Sequence, residues 1–175
     1  MKHLSFMIVV VVAAALSRLL LHPPNFTPIA AIALAGGVYF DRRWALVIPT
    51  AALFLSDALI GFHGLMPFVY GSFAAIAAIG IWLRSRKSVA MVAGATLSGS
   101  ILFFVITNFG VWFLADGTIY PKSLAGLGAC YVAALPFFRT SLLGDAVYTA
   151  ILFGILEVAL RMSQRTERAA EHQPS

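Results

Sequence analysis

Long apolar stretches separated by short basic loops dominate this sequence, and few folds can accept them. Backbone N–H and C=O groups in lipid must be satisfied inside their own segment, so stretches of this kind read as helices. A span of the hydrocarbon core needs about 20 residues, with a range near 17–25. Six stretches are candidates: 4–21, 28–40, 44–60, 65–83, 88–114 and 141–161. The second is short and starts at Pro28. The chain is 61% hydrophobic and 11% charged, against about 25% charged residues in soluble domains. With a mean hydropathy of +0.91, lipid rather than water is the expected solvent for most of its surface.

Loop charges set the expected topology. Lys2, Arg42, Arg43, Arg84, Arg86, Lys87, Arg161, Arg165 and Arg168 all fall on one side of a six-span arrangement. The positive-inside rule makes that side the cytoplasm and places both termini there. Arg18, Lys122 and Arg139 remain on or near the other side. The expectation is therefore an all-α integral membrane protein of the cytoplasmic membrane. Residues 1–161 form one bundle, and 162–175 form a polar, frayed cytoplasmic tail. Residues 123–137 are apolar but contain Gly126, Gly128 and Pro136, which suggests a re-entrant or surface-lying element; a seventh span is the alternative. Lys2, His3 and the following apolar run also resemble a signal peptide. Continuation through Leu19-Leu20-Leu21 favours a retained span.

Several chemistries find no foothold. A net charge of +5 carried by membrane loops gives no sign of nucleic-acid binding. The single cysteine, Cys130, has no intrachain partner and belongs to no zinc pattern. No phosphate-binding loop, nucleophile elbow, zinc-protease motif or paired-carboxylate hydrolase pattern occurs, so neither a catalytic residue nor a resident metal or cofactor is expected.

Polar groups inside apolar stretches are expensive, and they tend to face the interior or a cavity. Asp57 lies about one turn from the outer end of the third span, and reads either as a ligand acceptor or as a structural carboxylate. Arg139 and Asp145 frame the start of the last span. Six residues apart, they face nearly opposite ways, so Arg139 is the expected partner of Asp57 across the bundle. Asp145 and Tyr148 share a face. Asn108 lies inside the fifth span, where an amide also serves to bridge helices. Trp112 belongs to an aromatic belt or a ligand wall. His22 and Asn25 lie in the turn His22-Pro23-Pro24-Asn25-Phe26-Thr27-Pro28, whose prolines stiffen a rim over a cavity. His63 lies on the same outer side, and two isolated histidines make a weak metal signal. Glu157 and Arg161 read as an i,i+4 pair at the inner end. Small residues at four-residue spacing, such as Ala33/Gly37 and Ala74/Ala78, permit close helix contact.

Four stretches carry a resemblance: Arg18 to Pro28, Ser56 to His63, Asn108 to Trp112, and Ala134 to Asp145. They resemble a family of small bacterial membrane proteins of uncharacterised function. That family looks like the substrate-binding (S) components of energy-coupling factor (ECF) transporters, nearest to the cobalamin-specific BtuM type. The resemblance implies six helices, cytoplasmic termini and a vitamin-like ligand near the outer face, with a corrinoid as one candidate. It also implies a transmembrane coupling subunit and cytoplasmic ATPases as partners. His22, Asp57 and Arg139 would fall among the ligand-site residues. Where some BtuM-type members place a cobalt-meeting cysteine, this chain has Tyr70. The expected cavity is thus lined by His22, Asp57, Tyr70, Asn108 and Arg139. A membrane enzyme acting on a lipid-borne substrate and a purely structural membrane protein are the alternatives.

Overall fold

The computed structural model describes Val12, Leu16 and residues 26–171. The expected first span, 4–21, lies outside the described residues apart from Val12 and Leu16, as do His22 and Asn25. Among the described residues the ordered elements are all helical. They are α1 (Ile29–Tyr39), α2 (Arg42–Ile60), α3 (Met66–Leu83), α4 (Val89–Leu114) and α5 (Leu124–Glu171). Their bounds follow the chemistry of the connections. Pro28 precedes α1, and Pro67 sits in the first turn of α3, where a missing N–H costs nothing. Gly61 closes α2 with a φ of 115°, a conformation that glycine tolerates best. Ser88 caps α4 by accepting from the Met91 amide at 3.2 Å.

The short α1 is the axle of the bundle. It packs against each of the other four helices, and Ile29 and Ala31 through Val38 are buried. A helix buried all round needs apolar residues all round, as α1 has. It crosses α3 with backbones in contact at Gly37 and Gly80. Around α1 the sequence-adjacent pairs α2/α3, α3/α4 and α4/α5 are packed together. The outer faces carry apolar stripes, among them Leu97, Ile101, Val105, Phe109 and Phe113 on α4 and Leu143, Val147, Ile151 and Ile155 on α5.

At one end of the bundle the ends of α1 and α3, the start of α4 and the middle of α5 are tied together. The Arg84 guanidinium donates to the carbonyls of Gly37 and Phe40. Lys87 pairs with Glu157 at 2.8 Å, and the Tyr39 hydroxyl donates to the same carboxylate at 2.5 Å. The ion-pair partner of Glu157 is therefore Lys87, in the loop that leads into α4, and Arg161 one turn along acts on the carboxylate only through its charge. Arg42 and Arg43 start α2 at this same end.

Residues 124–137 form neither a separate re-entrant element nor a span of their own. They are the first turns of α5, which runs without interruption through Pro136 to Glu171. This stretch lies along the end of α4: the Tyr131 hydroxyl donates to Val105 O at 2.9 Å, and the Phe138 ring lies 4.8 Å from Phe104. The polar stretch from Met162 onward, expected to fray, continues as helix as far as Glu171. The connection 115–123 folds back on α4. Lys122 donates to the carbonyls of Trp112 and Phe113, a favourable place for a cation at a helix C-terminus. Within it, hydrogen bonds from Thr118 hold the Asp116 carboxyl below its ordinary pKa.

Candidate functional site

The helix ends opposite the basic residues enclose a hollow. A cavity of about 260 Å³ lies between the start of α1, the end of α2, the start of α3 and the middles of α4 and α5. Thr27, Ser141 and Asp145 are its polar lining, and Phe73, Phe103 and Leu53 are among its apolar walls. Asp145 is 5% exposed. Its Oδ2 accepts from the Ser100 hydroxyl at 2.7 Å. Among the described residues no lysine, arginine or histidine pairs with it, so a carboxylate stands in an apolar bundle with one neutral donor.

Asp57 is also buried, and the Tyr70 hydroxyl donates to its Oδ2 at 3.0 Å. On α2, Asp57 lies one turn from Leu53 and from Ile60, both of which line the cavity, and Tyr70 neighbours the lining residue Val69. The structure thus brings Asp57, Tyr70 and Asp145 to one region.

The remaining expected residues go elsewhere. Arg139 is exposed on α5 and makes no ion pair with Asp57. A long side chain can keep its charge in a polar layer while its stem lies on apolar surface, so an arginine near a span end does not imply a buried partner. The Asn108 amide donates to Phe104 O at 2.8 Å within its own helix and bridges no other helix among the described residues. Trp112 donates to Pro121 O at 3.0 Å and anchors the α4–α5 connection. His63 is exposed between α2 and α3 and has no side-chain hydrogen bond among the described residues. No cluster of three histidine, cysteine, aspartate or glutamate side chains suited to a metal occurs among the described residues.

Two features had no clear signal in the sequence. Ser100 is an ordinary small residue of an apolar span, and its partner lies 45 residues away. Thr149, one turn beyond Asp145, buries its hydroxyl oxygen without a hydrogen-bond partner. A water-sized void of about 10 Å³ lies among Thr96, Ser100, Asp145 and Thr149. Beyond it, Thr96 and Thr149 also line a groove of about 650 Å³ between α4 and α5 that ends at Lys87, Glu157 and Arg161.

Four of the five helices are long and apolar enough to cross a membrane, and the fifth, α1, is apolar but shorter. With a largely apolar cavity that holds one buried carboxylate, and apolar stripes outside, the fold is that of an all-helical bundle consistent with a membrane protein. Residues 1–169 match DUF6580, a family of unknown function, and the chain belongs to that family. No curated protein and no solved structure matches it.

Proposed function

We propose that this chain is a substrate-capturing membrane subunit, similar to an ECF S component, that takes up a vitamin-like small molecule. In this reading a first span at 4–21 joins the five described helices, giving six spans with both termini in the cytoplasm of a bacterium. The gathering of Arg42, Arg43, Arg84, Arg86 and Lys87 at one end supports that orientation. The cavity then opens toward the outer side. The observation that carries the reading is the 260 Å³ hollow with its buried Asp145, which has no cationic partner among the described residues. A carboxylate costs several kcal/mol in such a place, and intramembrane carboxylates tend to mark ligand or ion pathways.

Ligand cavities usually measure about 300–1,000 Å³, so this one suits a small molecule and not a corrin macrocycle. Transport would require partners: a transmembrane coupling subunit and cytoplasmic ATPases. The enzyme alternative draws less support. It would use Asp57 and a histidine as acid–base groups, and neither is part of the described lining of the groove between α4 and α5.

The test is purification in detergent followed by mass spectrometry of co-purifying small molecules. The wild-type protein is expected to carry a ligand that Asp145→Asn depletes. An equal yield of ligand from both proteins would refute the site, and its absence from cells grown in varied media would refute capture.

A further inference from the structure

The cavity's chemistry is one-sided. Its single charged lining group among the described residues is Asp145, and the two other polar lining groups, Thr27 and Ser141, are hydroxyl-bearing. Every other described lining residue is apolar, and Phe73 and Phe103 offer aromatic rings, 5.2 Å apart, beside it. From this we infer that the cavity binds a small organic ammonium ion, its N–H groups donating to the Asp145 carboxylate and its hydrocarbon body held among Phe73, Phe103 and Leu53. The inference rests on the ligand-capture reading above and names the chemical class of the ligand.

Three arguments lead to an ammonium. First, Ser100 satisfies one oxygen of Asp145 with one hydrogen bond. Ionised carboxylates accept several hydrogen bonds, and in a low-dielectric bundle the group's remaining acceptor capacity needs a donor, best a cationic one. No described residue places a cation on this carboxylate, and an ammonium-bearing ligand would supply one. Second, aromatic faces attract organic cations when water is excluded. Third, the same carboxylate repels anions, and no lysine or arginine of the described lining counters it. Carboxylate- and phosphate-bearing compounds are therefore selected against. A bare metal ion is a poorer match, since hard cations want six or more oxygens and the described lining offers mainly hydrocarbon.

The experiment uses the whole chain in detergent at neutral pH with three probes of similar shape: benzylammonium, benzyl alcohol and phenylacetate. Binding is read by isothermal titration. Benzylammonium is expected to bind at least about tenfold more tightly than benzyl alcohol, with phenylacetate weakest. Asp145→Asn keeps the side chain's shape and its acceptor for Ser100, and is expected to erase the difference between the first two probes. The wild-type ranking alone tests the inference should the variant fold poorly. Equal binding of all three probes, or a preference that survives Asp145→Asn, overturns the ammonium assignment while leaving a ligand cavity in place. Absence of binding by any probe overturns both the assignment and the capture reading.

Discussion

Gly80→Ala is the sharpest test of the architecture, because one methyl group should separate α1 from α3. A Cβ built at Gly80 would lie 2.2 Å from Leu34 O and 3.0 Å from the Gly37 Cα. Both atoms belong to helical backbone, which cannot swing aside as a side chain can. Restoring ordinary contact requires the two axes to part by roughly 1 Å, and overpacking of this kind costs about 1–3 kcal/mol. The cost is expected at the upper end, because α1 also touches α2, α4 and α5 and its shift disturbs those contacts too. Gly71 supplies the control on the same helix: its Cβ would meet nothing within 4 Å. There Gly→Ala should stabilise by about 0.5–1 kcal/mol through backbone entropy alone. The same chemical change is thus expected to have opposite signs nine positions apart. Cys130, the chain's one cysteine and buried, gives the readout: a thiol-reactive fluorophore reports its exposure during thermal unfolding in detergent. Should Gly80→Ala unfold at or above the temperature of Gly71→Ala, the claim that backbone contact sets this crossing would be wrong.

Three further outcomes are expected. Thr149→Val removes a buried hydroxyl with no protein partner among the described residues, so stability should rise by about 1 kcal/mol; a fall in the thermal midpoint would show that this oxygen is satisfied, as by a water in the adjoining void. Lys87→Met breaks a pair whose side chains are 35% and 39% exposed, so it should cost less than about 1 kcal/mol and the cost should shrink in high salt. A loss of several kcal/mol, insensitive to salt, would contradict that. Trp112→Phe deletes the donor to Pro121 O and should speed hydrogen exchange across 115–123 while leaving α1 and α3 unchanged; uniform protection in both proteins would show that Trp112 does not anchor the connection.

How far the sequence foretold this structure depends on the kind of signal. Helix ends were readable because prolines, glycines and charges mark them: Pro28, Gly61 and the run Arg84 to Ser88 bracket elements that lie within a residue or two of expectation. Faces were not readable. In water an apolar stripe reveals the buried side, but α4 is apolar all round; it buries Gly99 and Ser100 and exposes Leu97 and Ile101. The rarity of charge picked out Asp57 and Asp145, both buried, yet gave equal weight to Arg139, which is exposed, because rarity does not distinguish a buried group from one reaching a polar layer. Residues 123–137 were misjudged through their glycines. A glycine weakens a helix by about 1 kcal/mol, and contacts with α4 outweigh that. Gly126 in addition seats itself against the Pro121 carbonyl, where a Cβ would meet it at 2.0 Å, so the supposed helix breaker is a packing requirement.

The cavity lies at the N-terminal end of α1, a helix too short to run the depth of the bundle. Its 11 residues cover about 16 Å, roughly half of a 30 Å hydrocarbon core. Above it, the non-helical residues Phe26–Pro28 descend to the level of Asp145. Phe26 packs at a tilt against Tyr148, ring centres 5.4 Å apart, and passes beside Gly144, where a Cβ would meet its Cα at 3.2 Å. Irregular backbone at such depth is tolerated where it borders a cavity or lies inside protein, and here it does both. Gly144→Ala therefore acts on the cavity rather than on the fold: Phe26 must yield by a few tenths of an ångström, and Thr27, a lining residue, moves with it. The thermal midpoint should change by less than about 1 kcal/mol in stability, as for a small accommodated strain, while benzylammonium affinity should change severalfold. If affinity stayed constant while stability fell steeply, Phe26 would be a core anchor for α5, and the chain at 26–28 would have no part in shaping the cavity.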